Sequence, residues 1–95
     1  MTKLKIEFRE VRMHLSRPAT MEKDGMEGLT YTDNRQEATN VCVWYDIGYK
    51  DGDIDMIAEK DFHIDEYKSL ENAEKKAYKY ADKLSKRYKT YINYY

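Results

Sequence analysis

The sequence predicts one α+β domain over residues 1–95, an antiparallel β-meander of three to four strands with one long C-terminal helix packed on one face. Two observations support this prediction. In the first two thirds of the chain, apolar residues alternate with polar ones in short runs, which is the pattern of half-buried strands. From Asp65 onward the apolar residues recur every three or four positions, which is the pattern of an amphipathic helix. The length of 95 residues suits a single domain.

The first predicted strand begins with the alternating run at residues 3–9. Its apolar residues fall into two sets: Leu4, Ile6 and Phe8, which we expect to face the core, and then Val11, Met13 and Leu15. The second set is shifted by one residue, which would turn it to the other face of the sheet unless an extra residue is inserted. We therefore predict a β-bulge near Arg9-Glu10.

The middle of the chain predicts a loop and then further strands. Residues 16–28 contain the only proline and two of the four glycines and show no period, so we expect a mobile loop. Residues 29–32 predict a short strand, and residues 39–49 predict the strongest strand of the chain. That strand would place Cys42 and Trp44 on the face opposite its main apolar set. An apolar pair there indicates packing against a loop or a partner.

The pair Asp51-Gly52 lies between two strand-like runs and predicts a hairpin. A two-residue type I′ turn needs positive φ at both central residues, and Asp-Gly is a favoured sequence for it. A calcium-binding EF-hand loop is excluded. Counting Gly52 as its sixth position, its first and third ligands would be Ile47 and Tyr49, which have no suitable oxygen.

The C-terminal third predicts a helix that runs nearly to the end of the chain, because residues 66–95 contain no glycine or proline. Either Asp65 or Ser69 could cap its N-terminus. Its apolar stripe consists of Leu70, Ala73, Ala77, Ala81, Leu84, Tyr88, Ile92 and Tyr95.

Charge is divided unevenly along the chain, although the net charge is only −1. Residues 1–45 carry seven basic and seven acidic side chains, residues 46–66 carry two and eight, and residues 67–95 carry eight and three. This asymmetry indicates either charge complementarity within the molecule or two surfaces suited to different partners.

The acidic residues Asp51, Asp53 and Asp55 form the first candidate partner-binding group. In a strand they would project on one side about 6.6 Å apart. That spacing is close to the phosphate spacing of an extended nucleic-acid strand, so the row could occupy the basic groove of a nucleic-acid-handling protein. The alternatives are a solvated turn whose charges protect a sheet edge, and a weak cation site.

Tyrosines form the second candidate group, since seven of the ten follow residue 66. The cluster at Tyr88, Tyr91, Tyr94 and Tyr95 exceeds what one small core can bury. Because tyrosine is enriched at interfaces, we interpret Tyr91, Tyr94 and Tyr95 as a partner-binding or homodimer surface, with ordinary packing as the alternative. Trp44, on the second face of the sheet, is a further candidate.

The predicted helix also offers an alternative nucleic-acid surface. Its candidate contacts are Lys76, Lys79, Lys83 and Arg87, with Tyr80 and Tyr91 between them. Basic side chains interleaved with aromatic ones are typical of proteins that bind single-stranded nucleic acid. Against this, the pairs Glu71–Lys75 and Asp82–Lys86 are usual on any solvated helix, and the chain as a whole lacks a basic excess. Contact with an acidic protein surface is a third interpretation.

Catalytic and metal-binding signatures are absent from the sequence. It contains no Gly-rich phosphate loop, no HExxH and no GxSxG. Cys42 lies within an apolar strand, and His14 has no evident acidic partner. Asp61, His63 and Asp65 alternate, but Asp65 is explained more simply as a helix cap. We therefore predict a protein that is not an enzyme and has no catalytic residue, metal site or cofactor.

The composition also predicts a compartment and a class of function. A single cysteine cannot form an internal disulfide, so we expect the cytoplasm, without a signal peptide or a membrane span. Short chains rich in Lys, Glu and Tyr are common among phage and mobile-element proteins. Our first hypothesis is a small inhibitor of that type, which binds and occludes a host nucleic-acid-handling defence protein in the host cytoplasm. The alternative is a nucleic-acid-binding regulator, and a small hydrolase using His63 or Cys42 is the third hypothesis.

Overall fold

A sheet of five strands and one long helix make up the part of the chain that the computed structural model describes, residues 5–95. The elements, in chain order, are β1 (Ile6–Pro18), α1 (Met21–Asp24), β2 (Leu29–Tyr31), β3 (Asn40–Tyr49), β4 (Ile54–His63), α2 (Ile64–Tyr67), α3 (Leu70–Tyr88) and β5 (Tyr91–Tyr94). The predicted α+β class is confirmed.

The long strand β1 organises the sheet. On one side it pairs antiparallel with β3, from Ile6 to Ser16. On its other side it pairs antiparallel with β2 at its C-terminal end and parallel with β5 between Glu10 and Met13. Among residues 5–95, β4 pairs only with β3 and forms an edge, so the order is β2-β1-β3-β4 with β5 beside β1. This order departs from a simple meander: β2 has only three residues and pairs with the end of β1, whereas β3, with ten residues, pairs along most of the thirteen-residue β1.

One helix covers one face of this sheet. The buried side of α3 consists of Ala73, Ala77, Ala81 and Leu84, which pack on the sheet residues Val11, Met13, Leu15, Val41, Val43, Tyr45 and Phe62. Because alanine ends at Cβ, the helix axis can lie close to the strands. At the far end of α3, the ring of Tyr88 stacks on Tyr45 with centroids 3.9 Å apart. The predicted apolar stripe is confirmed as far as Tyr88.

Of the two caps predicted for the long helix, Ser69 is confirmed, whereas the prediction that the helix runs nearly to the end of the chain is wrong. A positive φ of 71° at Lys68 separates α2 from α3, and Ser69 caps α3 by accepting a hydrogen bond from the Asn72 N–H at 3.2 Å. Lys89, with a φ of 54°, ends the helix. The chain then forms β5, because the tyrosine and isoleucine side chains of this segment favour strands and its backbone groups can pair with β1.

The predicted bulge in the first strand is present, but it lies earlier, between Ile6 and Phe8. Glu7 is the extra residue. As a result Phe8 lies opposite Gly48, on the face of the sheet that points away from α3. The expectation that Phe8 would join the main core is therefore wrong, while Leu4 lies outside the described residues.

The hairpin between β3 and β4 occurs at Asp51-Gly52 as predicted, but its turn type differs. Gly52 is the one residue of the turn with positive φ, at 95°. Its N–H donates to the Tyr49 carbonyl at 3.0 Å, and the Tyr49 N–H donates to the Asp53 carbonyl at 2.8 Å. These bonds define a three-residue loop with a glycine bulge rather than a two-residue type I′ turn.

The segment at residues 16–28, predicted to be an irregular loop, contains regular structure. Strand β1 continues to Pro18, and Thr20 caps the single turn of α1 by accepting from the Lys23 N–H at 3.1 Å. The guanidinium of Arg17 binds both carboxylate oxygens of Asp24, at 2.7 and 2.9 Å. This bidentate ion pair fixes the segment to the end of β1.

Gly48 provides a direct test of the position of Phe8. A Cβ atom at residue 48 would overlap the ring of Phe8. We expect Gly48→Ala to lower the free energy of unfolding in urea by about 1–2 kcal/mol, because the ring must move off the sheet. The matched control is the same substitution in a Phe8→Ala background, where we expect little loss. An equal loss in both backgrounds would contradict the described contact.

Candidate binding surface

The two faces of the sheet differ because α3 packs on only one of them. In residues 5–95, no helix packs on the opposite face. We call this second face, defined by the outward residues of β1, β3, β4 and β5, the open face. Its side chains include Phe8, Glu10, Arg12, His14, Cys42, Trp44, Asp46, Ile54, Met56, Asp61, Tyr91, Asn93 and Tyr95.

A shallow depression of about 470 Å³ lies on the open face near the β3–β4 hairpin. It is lined by Phe8, Glu10, Arg12, Asp46, Ile54, Met56, Tyr91 and Tyr95. The guanidinium of Arg12 pairs with both oxygens of Asp46, at 2.9 and 3.2 Å. Because the Arg12 and Asp46 charges neutralise each other, the apolar side chains at the rim of the depression are the groups free to contact another molecule. Met56 is 63% exposed, Tyr91 56% and Ile54 53%.

The hairpin tip next to this depression carries free negative charge. Asp51 and Asp53 are exposed, and neither forms an ion pair with any residue between 5 and 95. Asp51 accepts a hydrogen bond from the Asp53 N–H at 3.0 Å, which stabilises the turn. Asp51 lies in the turn, and Asp53 is the residue that follows it and pairs with Tyr49, so the three aspartates do not form the evenly spaced row of one strand considered above.

Asp55 is placed differently from the other two aspartates. It lies opposite Ile47, on the side of β4 that faces the α3 layer. Its carboxylate accepts a hydrogen bond from the Tyr49 hydroxyl at 2.8 Å, and this bond is the main reason why the pKa of Tyr49 is raised. The acidic tip therefore consists of Asp51 and Asp53, and Asp55 has a contact within the hairpin.

The three C-terminal tyrosines proposed as a partner surface do not share one face. Tyr91 and Tyr95 belong to the open face, but Tyr94 points to the α3 side and donates to Glu74, which Arg35 also binds at 2.6 and 3.1 Å. Burial and the Glu74 carboxylate raise the pKa of Tyr94 to about 12. Tyr94 lies on a different face from the other two because β5 alternates its side chains as a strand does. The assignment of the three tyrosines to a partner surface stays a prediction.

Trp44 and Cys42 pack within the molecule. The guanidinium of Arg12 lies 5.2 Å from the centroid of the Trp44 ring. The Sγ atom of Cys42 is 3.0 Å from the Oγ atom of Ser16, and burial raises the pKa of the Cys42 thiol to about 12. A thiol with so high a pKa is a poor nucleophile. Trp44 is half-buried and forms a boundary of the open face.

His14 is a buried residue that the sequence patterns did not single out. Its ring lies near those of Tyr31 and Trp44, with centroids 6.0 and 6.5 Å away, and its Nδ1 atom has no hydrogen-bond partner in the part of the chain that the structure describes. Burial, followed by the nearby Arg12 charge, lowers the pKa of His14. The signal available in the sequence was its position between Met13 and Leu15 in an alternating strand, which places it on the face opposite those two side chains.

The outer side of α3 carries the alternative, basic surface. The four predicted contacts, Lys76, Lys79, Lys83 and Arg87, are all exposed, and none forms an ion pair with the described residues. A groove of about 780 Å³ along the helix is lined by Tyr67, Glu71, Asn72, Glu74, Lys75, Lys76, Tyr78, Lys79 and Tyr94. The predicted pair of Asp82 and Lys86 forms at 3.0 Å. The sheet therefore separates this basic surface from the open face.

Within residues 5–95, no three His, Cys, Asp or Glu side chains converge in a way that could hold a metal ion. The Nδ1 atom of His63 instead accepts a hydrogen bond from the Asp65 N–H at 3.3 Å and caps α2. None of the helices in this part of the chain has the length and apolar character needed to cross a membrane.

Comparison of the chain with known protein families, with curated proteins and with solved structures finds no significant match.

The buried His14 makes stability dependent on pH. Because its pKa is lower in the folded state than its ordinary value of 6.5, the unfolded chain takes up the proton more readily. Above pH 6.5 the His14 ring is neutral in both states, so its burial costs no proton-binding free energy. Below that pH the unfolded chain binds the proton more readily, and the free energy of unfolding therefore falls. We expect urea midpoints to decrease between about pH 7.5 and about pH 5.5, and His14→Phe to reduce that decrease. His63→Asn, which can keep the α2 cap, is the control. A pH dependence that is unchanged in His14→Phe would contradict the burial of this ring.

Proposed function

We propose that this chain is a non-enzymatic protein-binding module that acts in the cytoplasm by occluding a basic surface of a nucleic-acid-handling protein. The observation that carries the proposal is the proximity of two features at one end of the sheet. Asp51 and Asp53 provide negative charge with no basic partner among the described residues, and the adjoining open face exposes Ile54, Met56 and Tyr91.

Apolar and charged groups have different roles in such a surface. Burial of apolar area supplies most of the affinity, at roughly 25 cal/mol per Å². The charges at the rim steer association and select partners of opposite sign. Aromatic residues and methionine are enriched at protein interfaces, and the open face contains both at its exposed positions.

The size of the surface is sufficient for a stable complex. The molecule is a flat slab with extents of 45, 32 and 18 Å. A typical interface buries roughly 800 Å² on each partner. One broad side of the slab can provide this area, so the hairpin tip and the depression can be buried together.

The proposed mechanism is competition. A protein that binds DNA or RNA holds phosphates in a basic channel, and the Asp51 and Asp53 carboxylates can pair with the same lysines and arginines. The buried His14 and the high pKa of the Cys42 thiol give no support to catalysis as an alternative. An inhibitor encoded by a phage or a mobile element, acting on a host defence enzyme, is the most specific form of this proposal.

The charge reversal Asp51→Lys with Asp53→Lys tests the proposal. Both side chains are exposed in a turn, so the fold should be retained. We expect the wild-type protein, used as bait in a bacterial lysate, to capture a nucleic-acid-binding protein that heparin displaces. We expect the charge-reversed variant to lose that capture by at least about tenfold, because two attractive contacts become repulsive.

The matched control is Lys79→Glu with Lys83→Glu, which reverses two exposed charges on the opposite side of the molecule and should leave capture unchanged. Capture that survives the aspartate reversal would contradict the proposal. The same is true if the proteins captured have no affinity for nucleic acid.

The exposed basic side of α3 supports a second candidate, direct binding of single-stranded nucleic acid. Tyr78 is 54% exposed, and Lys75 and Lys79 lie next to it on the helix. A base could stack on the ring while the lysines contact phosphates. The net charge of −1 and the acidic hairpin disfavour this candidate, because long-range repulsion would oppose association.

Salt dependence separates the two candidates. If α3 binds nucleic acid, the affinity for a fluorescent oligouridine should fall steeply with salt, and Lys79→Glu with Lys83→Glu should abolish it. The proposed protein-binding module predicts no measurable affinity for the free oligonucleotide. Tight, salt-dependent binding by the wild-type protein would favour the second candidate.

A further inference from the structure

The outer edge of β4 is unpaired along its first half. β4 hydrogen-bonds with β3 on one side, and in residues 5–95 no strand pairs with its other side. Residues 54–58 are all exposed. A bulge at Glu59 ends this regular stretch, because Lys60 pairs with Val43 and Ala58 pairs with Trp44. The free edge is therefore five residues long, from the hairpin turn to the bulge.

The hydrogen bonds of the turn determine which backbone groups point outward. The Tyr49 N–H donates to the Asp53 carbonyl, so this pair is a hydrogen-bonded one. Hydrogen-bonded pairs alternate in an antiparallel ladder, and the next two are therefore Ile47–Asp55 and Tyr45–Ile57. It follows that Ile54, Met56 and Ala58 direct their N–H and C=O groups away from the sheet.

The edge lacks the usual protection against a further strand. Natural sheets protect their edges with proline, bulges or inward charges. Between Ile54 and Ala58 there is one charged side chain, Asp55, and it is bound to the Tyr49 hydroxyl. Met56 and Ile57 are exposed on opposite faces of the strand, so an added strand would bury apolar side chains on both of its faces.

Charge indicates which kind of strand would fit. Residues 51–61 carry five acidic side chains and one lysine. A second copy of the chain, paired antiparallel through the outward groups and centred on Met56, would bring the acidic flank at Asp51 and Asp53 close to the acidic flank at Glu59 and Asp61. Like charges opposite each other destabilise a strand pair, whereas lysine or arginine at those positions would stabilise it.

We infer that the β4 edge at residues 54–58 accepts an extended, basic segment of a partner protein as an additional strand. This inference rests on the proposed function and specifies how the partner is held. Main-chain hydrogen bonds to Ile54, Met56 and Ala58 provide the affinity, and pairing with the acidic residues on both sides of them provides the selectivity.

Met56 allows the backbone contribution to be separated from that of the side chain. Met56→Pro removes the outward N–H, and proline is tolerated at sheet edges where that group faces solvent. Met56→Ala removes the same side chain but keeps the N–H. Circular dichroism and urea unfolding would verify that both variants fold.

The probe is a fluorescein-labelled peptide of about ten residues in which lysine alternates with valine, a pattern that suits a half-buried basic strand. Its twin carries N-methyl groups on alternate amides, which blocks hydrogen bonding along one edge at equal charge. We expect the unmodified peptide to bind the wild-type protein, and Met56→Pro to bind it roughly tenfold more weakly than Met56→Ala. The N-methylated peptide should be similarly weakened against the wild-type protein.

Three outcomes would overturn the inference: no binding of the unmodified peptide, equal binding of the two peptides, or equal binding by the two Met56 variants. A wild-type dimer in sedimentation equilibrium that Met56→Pro dissociates and Met56→Ala does not would also overturn it, because a second copy would then occupy the edge. The proposed function fails by a different result. In that case the variant with Asp51→Lys and Asp53→Lys captures as much protein from the lysate as the wild-type protein does. If Met56→Pro does not fold, the comparison of the two peptides on the wild-type protein decides the matter.

Discussion

The contact between the alanine side of α3 and the apolar face of β1 and β3 is the interaction on which the rest of the structure depends. Ala73, Ala77 and Ala81 are fully buried, so the helix lies close enough to seal Val11 and Met13 from water. A helix is about 10 Å wide, and this one can cover only one face of a five-stranded sheet. The open face and the free β4 edge are consequences of this one-sided packing.

The same packing separates the charges of the molecule. The basic residues of α3 lie on the outer side of this helix. The acidic residues lie in the hairpin between β3 and β4. Ion pairs within the described residues do not join the two groups: Arg12 pairs with Asp46, and Arg35 pairs with Glu74. Both charges therefore remain available for external contacts, and the proposed function uses the acidic one because exposed apolar side chains accompany it.

Local patterns predicted the elements that local physics determines. The strand at residues 40–49, the hairpin at Gly52 and the buried side of α3 follow from alternation, turn chemistry and helical period. The end of the helix was not predictable in this way, because Ile92 and Tyr95 continue the helical spacing by coincidence. Lys89 ends the helix in a left-handed conformation that glycine or asparagine would have signalled. What selects β5 is its pairing with β1, some eighty residues away.

The candidate site was predictable only in part, for the same reason. Asp51, Asp53 and Tyr91 were identified by composition, and the structure leaves them exposed near the open face. Phe8, Ile54 and Met56 line the depression on the open face together. Their meeting there depends on the bulge in β1 and on the strand order, which no short window of sequence contains. Tyr94 lies on a different face from Tyr91 and Tyr95 because a strand alternates its side chains where a helix would have grouped them.

Hydroxyl-radical footprinting, measured residue by residue with mass spectrometry on the purified protein, tests the one-sided packing most directly. The account predicts rapid oxidation of Met56, Tyr91 and Phe8 and strong protection of Met13 and Tyr45, which are 0% and 4% exposed. These rates should not change with protein concentration. Protection of Met56 and Tyr91 comparable to that of Met13 would contradict the account, because the open face would then already be covered.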